Sequence, residues 1–473
     1  MSPTADEAAA MAVDTAVAAA AAAADAFAAT PSHMRASMLE ALADALEAER
    51  DKLVPVADEE THLGPARLAG ELARTTFQLR GFARVLREGA ADAALDEPAV
   101  AGPPPAGRPR LKRVRVPVGP VAMFSASNFP FAFSVLGGDT ASALAAGCPV
   151  VVKAHPAHPR LSRLTAALAS RTIAGQGLPA GIFQFIEGEG VALGVRLVQA
   201  PAIAAVAFTG SFQGGTALAR VAAERPRPIP FFGELGSVNP VVVLPACLEH
   251  DAERRAHGLA ESMAMGSGQF CTSPGVVVVE QGAAGDAFVR SLAAALQSRT
   301  CHPMLSAGIR AAYERGVEAW RQHPSLRPLV DAPDRAPDGP GPFLAQVDAQ
   351  DFMHDHRLHA EVFGPAALIV RTQSIAEACG VLRAIGGSLT VTLWGVPETA
   401  PDADACELVR CAMAAAGRVL FAGVPTGVSV TAAQHHGGPY PASTTPASTS
   451  VGYAAMDRFL RPVALQDPPD WLP

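Results

Sequence analysis

Residues 118 to 158 read VGPVAMFSASNFPFAFSVLGGDTASALAAGCPVVVKAHPAH, and this stretch decides the fold of the chain. It begins and ends with a short run of β-branched and apolar residues, and the helix-forming residues 134 to 146 lie between the two runs. Strand, helix and strand at this spacing are typical of a βαβ unit. The stretch therefore predicts an α/β fold with a parallel sheet.

The same alternation continues on both sides of this unit. Helical patterns near 160 to 174 and 190 to 199 separate further strand-like runs, among them IFQFIEG at 182 to 188 and AIAAVAFTG at 202 to 210. A second alternating region begins near NPVVVLP at residue 239, and it continues through GVVVVEQ, ALIVRT and GRVLFAG. We therefore expect two α/β regions. The sequence shows no internal repeat with the period of a solenoid protein, which argues against a repeat architecture.

The chain before this unit has a different pattern. Residues 8 to 88 favour helices, with breaks at TPS (30 to 32) and at Gly64-Pro65. The proline- and glycine-rich stretch from Glu97 to Pro109 cannot continue a helix and predicts a linker. The basic run from Arg108 to Pro117 alternates charged and apolar residues, which favours a solvated strand over a phosphate-binding patch.

Composition narrows the class of protein. Of the 473 residues 49% are hydrophobic and 17% are charged, as in globular proteins. A chain of this length usually folds into more than one domain, each with its own hydrophobic core. A net charge of −8 argues against nucleic-acid binding. The seven cysteines form no C-x-x-C pair, so we expect a reducing cytoplasm and no bound metal. The longest apolar run of the N-terminus, residues 16 to 24, is mostly alanine, and carboxylates flank it, which favours a surface helix over a targeting or membrane segment.

Three unusual stretches, SASNFP, KAHPAHP and FTGSFQGG, directly follow strand-like runs. Parallel sheets bind ligands at the carboxyl ends of their strands, so these stretches are candidate binding residues. The glycines of FTGSFQGG allow backbone amides to face an anion, although an ordinary strand-to-helix turn has the same composition. Lys153 ends the run VVVK and is either a ligand contact or a surface lysine.

Two residues are candidates for covalent catalysis. In GSGQFCTSP, residues 266 to 274, glycines allow close backbone approach to Cys271, and Thr272 adds a hydroxyl. A nucleophilic thiol needs an open, electropositive setting, and a buried inert sulfur is the alternative. Glu234 lies in the apolar stretch FFGELG, where burial is expected to raise its pKa towards that of a general base. A helix cap or a surface carboxylate is the alternative interpretation of Glu234.

Taken together, the motifs resemble the aldehyde dehydrogenase superfamily across most of the chain. They occur in the order of that family: SNFP at 127 to 130, VVK at 151 to 153, FTGS at 208 to 211, ELG at 234 to 236, GQFC at 268 to 271 and EVFGP at 361 to 365. The resemblance implies that Cys271 attacks an aldehyde carbon and that Asn128 and the Cys271 backbone N–H hold the oxyanion. It implies that Glu234 then activates the water that releases the acid from a thioester.

The resemblance also implies a cofactor, NADP or NAD, and residues that contact it. They are Lys153 at the adenosine ribose, Gly210, Ser211 and Gly215 at the pyrophosphate, and Glu361 with Phe363 at the nicotinamide ribose. The substrate pocket would include Phe133, Phe270 and Thr272. Many NAD-specific relatives carry a glutamate three residues after the cofactor lysine, where this chain has Pro156, so NADP is slightly favoured.

The family architecture implies how the chain is divided. A Rossmann-type cofactor domain would comprise residues 1–107 and 119–235, and an α/β catalytic domain would comprise 236–440. Residues 108–118 and 441–473 would form a small oligomerisation arm that builds a homodimer or homotetramer.

The sequence around these motifs, including HHGGPYPAS and TSVGYAAMDRFLRPV, resembles that of the subgroup whose members oxidise 2-oxoglutarate semialdehyde. That subgroup commonly has an arginine where this chain has Ala447, which removes a plausible partner for a substrate carboxylate. Hydroxyls at 443 to 445 or 448 to 450 are the alternative partners.

Three other functions stay open on the sequence alone. A broader enzyme for fatty or aromatic aldehydes would use Phe133 and Phe270 as an apolar entrance. A catalytically silent cofactor-binding scaffold would not need the Cys271 and Glu234 that are present. A cysteine hydrolase would need a histidine beside the thiol, and His155, His158, His435 and His436 are its candidates.

Overall fold

The computed structural model describes residues 5–89, 94–188, 190–334 and 339–472. The helices, in chain order, are α1 Ala5–Ala28, α2 Ser32–Ala48, α3 Arg50–Thr61, α4 Pro65–Arg87, α5 Gly138–Ala146, α6 Pro159–Gly175, α7 Val191–Gln199, α8 Phe212–Ala223, α9 Leu248–Ala264, α10 Ala283–Gln297, α11 Ala307–Arg321, α12 Ala349–His354, α13 Ile375–Ile385 and α14 Ala403–Ala415. The strands, in chain order, are β1 Leu95–Glu97, β2 Leu111–Pro117, β3 Val121–Phe124, β4 Val150–Lys153, β5 Phe183–Ile186, β6 Ala205–Thr209, β7 Phe231–Glu234, β8 Val241–Val243, β9 Val276–Glu280, β10 Arg327–Asp331, β11 Phe343–Asp348, β12 Ala366–Thr372, β13 Ser388–Trp394, β14 Ala416–Leu420 and β15 Leu460–Gln466.

The βαβ unit predicted from residues 118 to 158 is present as β3, α5 and β4. The two strands are parallel, with Val121 opposite Val150 and Phe124 opposite Lys153. Helix α5 begins only at Gly138, because the chain from 130 to 137 forms turns. Gly147 ends the helix at φ +87°, a conformation that glycine adopts without strain, and the chain then enters β4.

This unit belongs to a five-stranded sheet in the order β5-β4-β3-β6-β7, and all neighbouring strands are parallel. Val150, Val151 and Val152 of β4 are fully buried, as expected for a parallel sheet covered on both faces. The predicted strands of the first region are therefore confirmed.

The second region forms a seven-stranded sheet in the order β10-β11-β12-β9-β8-β13-β14. Its strands are parallel except for β10, which pairs antiparallel with β11 at the edge. A third sheet, β1-β2-β15, is antiparallel, and the basic run supplies its central strand β2. The strand predicted from that basic run is confirmed.

Helix α1 is long and apolar enough, over Glu7–Ala28, to cross a membrane by length and composition alone; this is the one such helix in the described parts of the chain. Its residues Val13, Val17 and Phe27 are buried, and Val13 and Val17 pack in the same core cluster as β3 and β4 residues. On its outer side Asp14 pairs with Arg196 of α7. The helix therefore covers one face of the five-stranded sheet. Residues 1–4 of the predicted N-terminal surface helix lie outside the described residues.

The two large sheets follow each other directly along the chain. Strand β7 ends at Glu234 and β8 begins at Val241, so only six residues separate the sheets. The carboxyl ends of β3, β6 and β7 lie side by side in the first sheet, with Thr209 opposite Glu234. The stretches that the sequence singled out thus meet along one edge.

Candidate active site

Three side chains from distant parts of the chain meet at this edge. Nε2 of His436 lies 3.5 Å from Sγ of Cys271 and 3.0 Å from Oε1 of Glu234. Glu234 ends β7, Cys271 follows a short 3-10 helix, and His436 lies in the loop after β14. Of the four histidines considered from the sequence, His436 is the one that contacts the thiol, so sequence reasoning named the residue without being able to place it.

The loop that carries His436 also fixes Glu234. The Ser450 hydroxyl donates to Oε2 of Glu234 at 2.6 Å, and the Ser450 backbone N–H donates to the carbonyl of His436 at 2.8 Å. The His436 backbone N–H donates to Oγ1 of Thr449 at 2.8 Å. Both carboxylate oxygens of Glu234 therefore have hydrogen-bond partners. The backbone of His436 is fixed by its hydrogen bonds to Thr449 and Ser450.

These contacts decide the charge of the carboxylate. Burial acts to raise the pKa of Glu234, but the neighbouring His436 and the hydrogen bond from Ser450 outweigh it and hold the pKa below its usual value. The expected net rise in the pKa of Glu234 is therefore wrong, because FFGELG does not reveal the polar partners that the C-terminal loop supplies. The buried carboxylate is ionised at neutral pH.

The thiol has the opposite environment. Burial, and then the charge of Glu234, raise the pKa of Cys271 well above its usual value. A thiol of this kind is a weak nucleophile until a neighbour accepts its proton. His436 is placed to do so, and the sequence had listed it among four candidate histidines without being able to place it.

The backbone around Cys271 is tightly constrained. Gly268 has φ +68°, and an added Cβ would lie 2.1 Å from the carbonyl carbon of Gly364, so the close approach expected from GSGQFCTSP is present. Nδ2 of Asn239 donates to the carbonyls of Cys271 at 2.8 Å and Ser273 at 2.9 Å. Asn239 was not singled out in the sequence, although its place before β8 in NP is typical of a turn residue.

Asn128 lies next to the same loop. Its Nδ2 donates to the backbone carbonyl of Gln269 at 3.0 Å, and its own backbone carbonyl accepts from Arg67 at 2.8 Å. One of the two Nδ2 protons is thereby used, and the other is available to a ligand. Asn128 and Cys271 line the same cavity, as an oxyanion site requires.

This first cavity encloses about 300 Å³ and runs from the thiol towards the N-terminus of α8. Gly210, Ser211, Glu361 and Phe363 line it, as the family resemblance implied. Oγ1 of Thr209, which also lines it, is buried without a hydrogen-bond partner. An unpaired buried hydroxyl at a helix N-terminus fits a polar, anionic ligand, and the cavity has room for part of a dinucleotide.

Two predicted cofactor residues lie outside this cavity lining. Lys153 ends β4 at the same edge of the sheet. Gly215 is buried inside α8, where an added Cβ would lie 2.1 Å from Cδ2 of Leu235, so its lack of a side chain serves helix packing. Gly215 lies in the first turn of α8, and its predicted contact with the pyrophosphate stays a prediction, since FTGSFQGG alone does not tell a packing glycine from a binding one.

Glu361 is half-buried and lines the first cavity. Burial raises the pKa of Glu361 to about 8, so the group is largely neutral at pH 7. A neutral carboxyl group can donate as well as accept a hydrogen bond, which suits ribose hydroxyls.

Cys271 also lines a second cavity of about 230 Å³ on its other side. Phe133, Phe270 and Thr272 line this cavity, as predicted, together with Arg67 and Arg74 of α4. The two arginines were missed because α4 has the amphipathic pattern of an ordinary surface helix.

The substrate partners suggested for the C-terminal loop lie elsewhere. Ala447 is exposed, the Ser450 hydroxyl is bonded to Glu234, and Thr444 donates to the carbonyl of Phe231 at 2.6 Å. Neither Thr444 nor Ser450 lines the second cavity, and the suggestion that a hydroxyl of this loop holds a substrate carboxylate stays a prediction.

Known proteins share this arrangement of sequence and fold. Residues 3–399 match the model of the aldehyde dehydrogenase family. The chain is 46% identical over 447 residues to alpha-ketoglutaric semialdehyde dehydrogenase 2 of Azospirillum brasilense, covering 94% of this chain and 85% of the relative. It is 41% identical over 441 residues to alpha-ketoglutaric semialdehyde dehydrogenase of Acinetobacter baylyi, covering 93% of this chain and 83% of the relative.

Solved structures show the same fold at lower identity. Proline utilization A of Bradyrhizobium japonicum superposes with a TM-score of 0.81 at 23% identity over 98% of this chain, which spans 45% of that longer protein. The 1-pyrroline-5-carboxylate dehydrogenase of Thermus thermophilus superposes with a TM-score of 0.79 at 20% identity over 96% of this chain and 85% of that protein. With its two α/β sheets, its half-buried cysteine and buried glutamate at their junction, and a family match over most of its length, this chain belongs to the aldehyde dehydrogenase family.

Proposed function

We propose that this aldehyde dehydrogenase oxidises 2-oxoglutarate semialdehyde to 2-oxoglutarate with NADP or NAD. The observation that carries the proposal is the contact of Cys271 with His436 and Glu234 at the junction of two cavities, one for cofactor and one for substrate. The substrate is taken from the two relatives that are 46% and 41% identical.

The first step forms a covalent bond between enzyme and substrate. The Sγ proton of Cys271 passes to Nε2 of His436, and the sulfur attacks the aldehyde carbon. The carbonyl oxygen becomes an oxyanion, which accepts hydrogen bonds from the free Nδ2 proton of Asn128 and from the Cys271 backbone N–H. When bound, NAD(P) supplies the acceptor for the hydride that leaves this carbon.

The second step releases the acid. The oxidised carbon is held by Cys271 as a thioester, and a water must lose a proton as it attacks. Glu234 is ionised because His436 and Ser450 stabilise its charge, so it can accept that proton. The C–S bond then breaks, the leaving sulfur recovers its proton from His436, and Glu234 releases the proton taken from water to the solvent.

The cofactor would lie along Gly210, Ser211 and the α8 N-terminus, with Glu361 and Phe363 at its nicotinamide end. NADP is slightly favoured, since Pro156 is exposed three residues beyond the end of β4 and carries no carboxylate to repel a 2′-phosphate. Lys153 is the candidate for the adenosine ribose.

The proposed division into domains is supported by the sheets. Strands β3 to β7 fall within 119–235, and β8 to β14 fall within 236–440. The proposed oligomerisation arm at 108–118 and 441–473 contains β2 and β15, while β1 joins the same sheet from residues 95–97. Family members are commonly oligomeric, and a homodimer or homotetramer is the proposed state; a cytoplasmic location remains a prediction.

The test is a substrate panel with each cofactor, followed through the absorbance of the reduced cofactor. We expect 2-oxoglutarate semialdehyde to have a higher kcat/KM than an uncharged five-carbon aldehyde or a medium-chain aldehyde. A preference for the medium-chain or aromatic aldehyde would instead favour the broad enzyme with the aromatic entrance of Phe133 and Phe270. Ester hydrolysis without cofactor, and no cofactor reduction, would favour a cysteine hydrolase.

A further inference from the structure

Arg74 of α4 carries a guanidinium group whose terminal nitrogens make no hydrogen bonds within the described chain. Its terminal nitrogens Nη1 and Nη2 are buried, and neither has a hydrogen-bond partner among the described residues. The guanidinium lies 5.4 Å from the centre of the Phe133 ring. A buried guanidinium without an anion is costly, and structures that retain one usually reserve it for a ligand.

Its position places it on the substrate side. Arg67, Glu71 and Arg74 are spaced by four and three residues and share one face of α4, and all three line the second cavity with Cys271. The charge of Glu71 acts most strongly on Arg74, and those of Cys271 and Glu234 act on it as well. The guanidinium therefore faces the space into which the rest of an aldehyde bound to Cys271 extends.

Arg67, the other arginine on this face, already contacts protein groups. Nη2 of Arg67 donates to the backbone carbonyl of Asn128, and its guanidinium lies 4.6 Å from the centre of the Phe270 ring and 5.1 Å from that of Phe129. Arg67 thus supports the oxyanion residue. Only Arg74 of these two keeps both terminal nitrogens unbonded, and this pair forms the fork that matches a carboxylate.

One acid, Glu71, lies on the same face, and its charge acts on both arginines. Oε1 of Glu71 accepts hydrogen bonds from the backbone N–H groups of Phe131 and Ala132 at 2.8 and 2.9 Å, and Oε2 is buried without a hydrogen-bond partner among the described residues. Burial raises the pKa of Glu71, and the two backbone N–H groups and the two arginines oppose that rise. Because two guanidinium groups and only one carboxyl group line the second cavity, the cavity keeps an excess of positive charge.

A second unpaired group lies beside the nucleophile. Oγ1 of Thr272 is buried, has no hydrogen-bond partner and belongs to a residue that lines the same cavity. A hydroxyl there can donate to an oxygen on the substrate chain. Arg74 and Thr272 together would recognise an aldehyde that carries a carboxylate and a further oxygen.

We propose that Arg74 binds the carboxylate of the acidic aldehyde through its two terminal nitrogens, and that it sets the preference of the enzyme for acidic over neutral aldehydes. This inference rests on the proposed function. Because the two nitrogens are covered in the structure, binding includes a side-chain rotation, and Phe133, which contacts the guanidinium, is the side chain expected to move.

The experiment compares Arg74→Met, which keeps the length of the side chain, with Arg74→Lys and with wild type. The matched control is Arg80→Met on the same helix, where the guanidinium pairs with Asp44 at the surface. For each protein, kcat/KM is measured with 2-oxoglutarate semialdehyde and with pentanal, and 2-oxoglutarate is tested as an inhibitor. Thermal unfolding checks that each variant is folded.

We expect Arg74→Met to lower the ratio of kcat/KM for the acidic over the neutral aldehyde by roughly 100-fold, chiefly through KM, and to weaken inhibition by 2-oxoglutarate by a similar factor. Arg74→Lys should lose less, since it keeps the charge without the fork. A wild-type preference that survives in folded Arg74→Met overturns the inference and leaves the proposed function intact. A wild type with no preference for the acidic aldehyde overturns the proposed substrate instead. If Arg74→Met is unfolded, the result of Arg74→Lys decides: an unchanged ratio overturns the inference.

Discussion

Nε2 of His436 lies 3.5 Å from Sγ of Cys271, although 165 residues separate them along the chain. The same nitrogen is 3.0 Å from Oε1 of Glu234, so one imidazole edge serves both the nucleophile and the carboxylate. Because one nitrogen contacts both groups, thiol activation and water activation are connected. Variants of Cys271, Glu234 and His436 should nevertheless affect different steps.

Cys271→Ala should abolish aldehyde oxidation, because the sulfur forms the covalent bond with the substrate. Cofactor binding should survive, because other residues, among them Ser211 and Glu361, also line the first cavity. Activity is measured by cofactor reduction, and binding by fluorescence titration. Cys406→Ala, which changes an exposed cysteine, is the control and should behave as wild type. Retention of most activity in Cys271→Ala would falsify the mechanism.

Glu234→Gln should slow steady-state turnover by about 100-fold and leave a pre-steady-state burst of reduced cofactor, since the base is needed to release the acid. Stopped-flow absorbance measures the burst. Glu224→Gln, at the exposed end of α8, is the matched control. A variant without a burst, in which hydride transfer itself is slow, would show that the role is assigned to the wrong step.

His436→Asn should slow the burst phase instead, by roughly 100-fold, because the thiol loses its proton acceptor. Alkylation of Cys271 by iodoacetamide should slow in parallel, which a change in substrate binding would not cause. His435→Asn alters the neighbouring, half-buried histidine and should leave both rates near wild type. Equal alkylation rates in His436→Asn and His435→Asn would show that His436 does not activate the thiol.

Pro156→Glu should lower kcat/KM for NADP by about 10- to 100-fold and change that for NAD much less, because the new carboxylate repels the 2′-phosphate. Pro156→Gln controls for the loss of the proline. The prediction is that wild type uses NADP at least as well as NAD. A wild type that favours NAD by more than tenfold would contradict it.

Glu361 should make the enzyme less stable as pH rises. Its pKa is about 8 in the folded chain against 4.5 as the reference value, so between these values the folded state holds a proton that the unfolded state has lost. The free energy of unfolding should therefore fall with rising pH, by at most about 1.4 kcal/mol per pH unit from this group. Urea unfolding at pH 5, 6.5 and 8 without cofactor should show a flatter dependence in Glu361→Gln. Parallel curves for the two proteins would contradict the raised pKa.

Much of the fold could be predicted because its signals are local. Runs such as VVVK and VVVVE are buried on both faces, and buried parallel strands have this composition whatever lies beside them. The breaks at Pro31 and Gly64-Pro65 follow from backbone chemistry in the same way. The start of α5 was placed four residues too early, since helix-forming residues 134 to 137 take a turn that brings Asn128 and Phe133 to the cavities.

The sequence by itself determined the α/β class, the order of the motifs and the identity of Cys271, Glu234 and Asn128 as candidates, because spacing along the chain carries that information. Only the tertiary structure decided that His436 and Ser450 reverse the expected pKa shift of Glu234, and that Arg74 faces the thiol across a cavity. The physical reason is distance along the chain. A local pattern fixes a strand or a turn, whereas the charge of a buried carboxylate depends on which distant side chains fold against it.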